Sequence, residues 1–169
     1  MALSFNSIGY LVNGMHICSV DEFKQFYVDQ FRDSVSRERI FNNFIEVVHL
    51  LSELGLSNVK LWIDGSYTTN KMNPGDIDFC MLVDSIEIES LDDDKKNALR
   101  KFGADDVHAL LKKYDCDFYL VIDVENNPDY PAYDEWMKLK RYWNNWWSHD
   151  RNGVEKGFVQ LEVKGGVIQ

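Results

Sequence analysis

Two short apolar segments that carry acids at fixed places constrain this chain most. Trp62-Ile63-Asp64-Gly65-Ser66 ends an apolar run in a Gly-Ser turn. After nine intervening residues, Asp76-Ile77-Asp78-Phe79 opens a second run. Residues 59–64 and 76–83 read as β-strands. Side chains alternate along a strand, so Asp76 and Asp78 share one face while Ile77, Phe79, Met81 and Val83 share the other. The apolar set requires a core, which leaves the acids presented together beside the turn.

Around these segments the pattern alternates. Residues 4–18 look extended or irregular, with turns at Gly9 and Gly14. Ser19 with Glu22 forms a capping box, and a short helix is expected to about Phe31. A longer helix should begin near Ser36, with Ile40, Phe44, Val48 and Leu51 at helical spacing and Gly55 as its stop. A short helix is expected over 67–71 and a turn at Asn73-Pro74-Gly75. Asp92-Asp93-Asp94 suits a helix N-terminus, where carboxylates meet the positive end of the dipole. Helical patterning then reaches Tyr114. Residues 116–124 read as a third strand, 133–149 as a tryptophan-rich helix and 157–163 as a last strand. Strands alternating with helices make the class α+β (or α/β), a mixed sheet flanked by helices in one domain. Its core is 59–124, with N-terminal helices over 19–55 and the Trp-rich helix over 133–149.

Composition narrows the function classes. At 169 residues the chain can bury a real core. The net charge of −10 lacks the electrostatic footprint of a general duplex nucleic-acid binder. It leaves nucleotides open, because a bound cation can supply positive charge. Cys18, Cys80 and Cys116 are widely spaced, and Cys80 and Cys116 read as small core residues. No signal peptide and no apolar run of about eighteen residues is visible, so a cytoplasmic, non-membrane protein is expected.

The chemistry the residues offer is phosphate and divalent-cation binding. Glycine lets backbone approach a phosphate closely, Gly65-Ser66 supplies the cradle, and a following helix would aim N–H groups at the anion. Asp76 and Asp78 supply oxygen ligands for cations. A third carboxylate should come from the next strand. Asp117 is the choice and Asp123 the competitor. The two share parity but lie about 20 Å apart along a strand, so only one can reach the cations. Thr68 could bond phosphate or cap the short helix, as could Thr69. Lys71 could neutralise phosphate charge or be a solvated loop lysine. Arg37 and Arg39 could reach a phosphate or a partner, or form salt pairs. His16 and His149 read as structural. Trp136, Trp143 and Trp147 fall near one helix face and suit core packing. Trp146 falls off it and could stack on a base or a partner. Lys140, Arg141 and Lys156 would be natural contacts for an acceptor phosphate.

The pattern apolar-Asp-Gly-Ser, Asp-apolar-Asp-apolar and a later apolar-Asp-apolar resembles the signature of the DNA polymerase β-like nucleotidyltransferase superfamily. The matching residues are Gly65, Ser66, Asp76, Asp78 and Asp117, within 59–124. Gly14-Met15-His16, Asp21-Glu22-Phe23, Phe31 with Ser36-Arg37, and Trp62 through Thr69 resemble a small bacterial family of stand-alone nucleotidyltransferase-like domains. The resemblance implies a twisted mixed sheet and two Mg²⁺ ions, with Mn²⁺ as a substitute. It also implies transfer of a nucleoside monophosphate from ATP, another NTP or a dNTP to a hydroxyl on a protein, an RNA end or an oligonucleotide, with release of pyrophosphate. Compact members act in toxin–antitoxin or antiphage modules, which implies a protein partner or a homo-oligomer. Small antitoxin-type members place Ser before the first acid where this chain has Gly75, so their substrate preference does not carry over. Two other readings stand beside the enzyme. One is a catalytically silent antitoxin or regulatory subunit, whose acidity would mask a basic partner. The other is a nucleotide sensor without turnover.

Overall fold

The computed structural model describes residues 3–102 and 113–169. Six strands form one mixed sheet: β1 (Gly14–Ile17), β2 (Asn58–Asp64), β3 (Ile77–Asp84), β4 (Cys116–Asp123), β5 (Gly157–Lys164) and β6 (Val167–Ile168). Their order is β1-β5-β2-β3-β4, with β6 paired to β5. β3/β4 and β1/β5 are parallel, and β2 runs antiparallel to both β3 and β5. The helices are α1 (Val20–Lys24), α2 (Arg37–Glu53), α3 (Ser85–Ser90), α4 (Asp93–Phe102) and α5 (Tyr133–Trp147). This is the α+β class that the alternating pattern implied.

Each face of the sheet follows from strand parity. Leu61, Ile63, Phe79, Met81, Phe118, Val159 and Leu161 form one core with Phe23 and Tyr27 and with Ile40, Phe44 and Leu51 of α2. Trp62, Cys80, Leu82, Val121 and Phe158 face the other way and receive Trp147, with Trp136 and Trp143 packed at the margin. The expected tryptophan face is thus the one that docks, and Trp146 is left 51% exposed. Burying a ring of this kind contributes roughly 2–3 kcal/mol, so the α5 contact is a substantial second core.

Local signals account for the boundaries. Ser19 and Glu22 form the expected capping box on α1, which then widens into a π turn over Gln25–Asp29. Gly55 ends the long helix with φ +95°. Asp92 Oδ1 accepts from the Lys95 backbone N–H at 2.8 Å and caps α4. The short helix expected over 67–71 is instead a 3₁₀ turn starting earlier, Gly65–Thr68. β1 lies in the stretch expected to be extended or irregular, and α3 and β6 were not foreseen. β1 is largely exposed and owes its place to pairing with β5. The helical pattern expected from Asp92 toward Tyr114 is realised as α4 over Asp93–Phe102, and residues 103–112 lie outside the described residues. Among the described residues no helix is long and apolar enough to cross a membrane.

Candidate functional site

Strand register brings the site together. Asp64 pairs with Asp78 across β2/β3, and Asp78 pairs with Asp117 across β3/β4. Paired residues on neighbouring strands point to the same face, so Asp64, Asp78 and Asp117 form a row across three strands. The row lies at the edge of the α5 face, where Gly65 turns the chain. Gly65 has φ +75°, and a Cβ there would sit 1.7 Å from Asp78 Oδ2. Both the backbone conformation and the contact therefore require glycine.

A cavity of about 790 Å³ opens over this row. Asp64, Gly65, Ser66, Asp78, Asp117 and Lys156 line it, together with an aromatic set of Tyr119, Trp146 and Trp147 and with His149 and Arg151. The Trp147 indole Nε1 is buried without a hydrogen-bond partner among the described residues. An unsatisfied buried donor costs roughly 1–3 kcal/mol, so this aromatic set would gain from an oxygen acceptor.

The electrostatics are unbalanced. Asp64 and Lys156 form a close ion pair with both side chains buried. Burial pushes the Asp64 carboxyl up to about 6 against the pull of Lys156, which leaves it ionised at neutral pH. Asp78 is pushed up further, to about 7, by burial first and then by the charges of Asp76, Asp117 and Asp64. Burial and the neighbouring Asp117 and Asp78 also raise the Tyr119 hydroxyl, which donates to Asp117 Oδ2 at 3.4 Å. An acid row with this much mutual repulsion is suited to cations.

The expected residues separate into those that converge and those that do not. Gly65, Ser66, Asp78 and Asp117 line one cavity. Asp76 is exposed one residue before β3 and acts on Asp78 through its charge. Asp123, the competitor for third carboxylate, sits at the far end of β4 opposite Asp84. Thr68 is buried, and its hydroxyl is shared between the Gly65 carbonyl at 3.2 Å and Asp64 at 3.4 Å. Thr69, not Thr68, lines the cavity. Lys71 is exposed outside the lining, and its carbonyl is held by Arg37. A single 3₁₀ turn replaces the expected helix after the cradle, so the helix-dipole contribution expected there is lost, leaving only its N–H groups.

Arg37 corrects another expectation. It is fully buried and donates to the carbonyls of Tyr27, Tyr67, Thr69 and Lys71. Its guanidinium lies 3.9 Å from the Phe31 ring centroid. It clamps the segment behind the cradle rather than reaching a phosphate. Arg39 makes the surface pair, with Asp115. Of the three cations expected near an acceptor, Lys156 reaches the cavity. Lys140 is held by Asp123 and Glu125 at the other end of the sheet.

Asp64, Tyr119 and Arg151 were missed as site residues. An acid immediately before Gly-Ser at the end of an apolar strand was the available signal for Asp64. Strand parity with Asp117 was the available signal for Tyr119, and nothing local marked Arg151.

Among the described residues, no group of three or more His, Cys, Asp or Glu side chains is gathered closely enough to hold a metal ion. The donor set nevertheless fits hard divalent cations. It is all carboxylate, it is electrostatically strained, and Gly65 leaves room where any other residue would intrude on Asp78. Asp78, Asp117 and the nearby Asp76 are the residues that would hold such ions.

A model described as "Family of unknown function (DUF6932)" matches residues 3–162. No curated protein and no solved structure matches the chain significantly.

Proposed function

We propose that this chain, which belongs to DUF6932, a family of unknown function, is a metal-dependent nucleotidyltransferase. It would move a nucleoside monophosphate from an NTP or dNTP to a hydroxyl acceptor. One observation carries the reading: Asp78 and Asp117 stand in register beside the glycine-dependent turn at Gly65-Ser66, inside a cavity with room for a triphosphate. The strand pairing gathers the acids that the sequence pattern singled out.

Each group has a task. The Gly65-Ser66 backbone and the Ser66 hydroxyl bind phosphate oxygens. Mg²⁺ or Mn²⁺, when bound, supplies charge neutralisation for the triphosphate and its leaving pyrophosphate. Asp78 and Asp117, with Asp76 beside them, would hold the cations, and Asp117 would take the acceptor hydroxyl's proton. Lys156 pairs with the buried Asp64 and offsets its charge within the row. Arg37 holds the carbonyls of Tyr67 and Thr69, and so fixes the chain that follows the cradle. The aromatic set offers faces for a base. A role in a toxin–antitoxin or antiphage module, with a protein partner or a second copy, is part of the same proposal.

The test is incubation with Mg²⁺ or Mn²⁺ and each α-labelled NTP and dNTP. Incorporation with pyrophosphate release, lost in Asp78→Asn, supports the enzyme. No incorporation, combined with partner binding that survives Asp78→Asn, supports the silent regulatory subunit instead.

A further inference from the structure

The cavity holds a hydroxyl of its own beside the third carboxylate. Tyr119 lies two residues beyond Asp117 on β4 and therefore on the same face. Its ring packs against Trp143 with centroids 4.2 Å apart, and against Trp147 at 6.4 Å. The hydroxyl reaches back along the strand to Asp117 Oδ2 at 3.4 Å. The residue is 39% exposed and lines the same cavity as Gly65, Ser66 and Asp78. The other tyrosine in the lining, Tyr10, is engaged differently, with its hydroxyl on Asp150 at 3.0 Å. Tyr119 thus combines access to the cavity, a fixed ring and a proton acceptor.

We propose that Tyr119 is an intramolecular nucleotide acceptor, so that the protein nucleotidylates itself on this side chain. The proposal rests on the nucleotidyltransferase reading and names one acceptor for it. Tyr119 Oη forms a bond to the α-phosphorus of the bound NTP or dNTP. The bond from that phosphorus to the bridging oxygen of the leaving group breaks, pyrophosphate departs with those electrons, and the hydroxyl proton passes to Asp117. The product is a phosphodiester between tyrosine and the nucleoside monophosphate, with no oxidant or reductant consumed. A rigid ring between tryptophans favours the step, because orienting nucleophile and electrophile beforehand removes much of the entropic barrier. The adduct would occupy the aromatic set and block the cavity, so modification would also switch the protein off toward other acceptors.

The experiment is intact-mass and peptide-mapping mass spectrometry of the full chain after incubation with Mn²⁺ and each NTP and dNTP in turn. Wild type, Tyr119→Phe and Asp78→Asn are compared, with pyrophosphate measured in parallel and folding checked by circular dichroism. The expected result is a gain of one nucleoside monophosphate on the peptide containing Tyr119. Total incorporation should fall about tenfold or more in Tyr119→Phe, which keeps the ring packing, and disappear in Asp78→Asn. Incorporation and pyrophosphate release with Tyr119 unmodified, or undiminished labelling of Tyr119→Phe, overturns this inference and leaves the enzyme reading standing. Absence of both incorporation and pyrophosphate release overturns both.

Discussion

The two ends of the β3–β4 pair carry the same residues in opposite electrostatic settings. At one end Asp84 pairs in register with Asp123, and at the other Asp78 pairs with Asp117. Asp123 is buried between Lys140 at 2.7 Å and Lys60 at 3.3 Å. Burial pushes its carboxyl up, but the hydrogen bond and charge of Lys140, aided by Lys60, outweigh this and hold it below the ordinary range. Asp84 accepts from the Ile86 N–H at 2.8 Å and caps α3. Both acids are consumed by structure. At the opposite end, Asp78 has acids on either side in the row, and the buried lysine is taken by Asp64. Carboxylates whose charge the fold satisfies serve stability. Asp78, raised by burial and by the neighbouring acids beside a cavity, is the carboxylate of the two pairs perturbed toward neutral pH.

The sharpest way to break this comparison is activity. Asp78→Asn and Asp117→Asn should each lower nucleotide incorporation by about 10²- to 10³-fold or more, the scale of losing groups that stabilise transition-state charge. Asp123→Asn should stay within a few-fold of wild type in the same labelling assay. Equal losses at both ends would remove the distinction.

A smaller effect is expected at the turn. Gly65→Ala adds a methyl group against Asp78 in a backbone conformation that disfavours side chains. It should destabilise the protein by about 1–3 kcal/mol in urea unfolding and reduce incorporation at least about tenfold. Gly75→Ser is the control, because a Cβ at Gly75 meets open space.

Stability should respond with opposite signs at the two ends. The folded-state value of Asp78 is raised from 3.8 to about 7, so the ionised form costs stability as pH rises through that window. Asp78→Asn should then be more stable than wild type by on the order of 1 kcal/mol at pH 8, after allowance for partial solvent screening, with the gain vanishing near pH 4. Asp123 is held below its ordinary value, so its contribution is present at neutral pH and is lost as pH falls through the folded value. Asp123→Asn should be less stable by about 1–2 kcal/mol at pH 7, with the gap closing in acid.

The smallest effect is ligand linkage. Millimolar Mg²⁺ or Mn²⁺ with an NTP should raise the melting temperature of wild type and of Asp123→Asn by a few degrees, and that of Asp78→Asn by less. Stabilisation of Asp78→Asn equal to that of wild type would move the cation site elsewhere.

Much of the sheet and part of the site were legible in the chain. Acid–apolar alternation over 76–79 followed by an apolar run to Val83 located β3, a central strand buried on both faces beyond Asp78. The capping box at Ser19 and the stop at Gly55 are local chemistry and appeared where expected. Gly65-Ser66, Asp78 and Asp117 converge because short motifs at strand ends encode their own geometry. Thr68 and Lys71 do not line the cavity, since the turn is 3₁₀ and starts two residues early, which rotates Thr68 inward. Arg37 looked like a surface cation, and only packing shows that four carbonyls receive it. Lys156 was expected near an acceptor phosphate, but only the fold shows it paired with Asp64, and Arg151 is far from the motif along the chain.

The sequence by itself determined the elements, the class and which acids could be offered together, because periodicity, caps and turns act over a few residues. The tertiary structure decided the charge setting in which each acid sits. Asp117 and Asp123 stand on the same strand in similar apolar surroundings, and the register of β4 against β3, with the placement of Lys60 and Lys140, separates a satisfied ion pair from a candidate ligand. Register and the docking of α5 are set by contacts between residues distant in the chain, and charge compensation follows from those contacts alone.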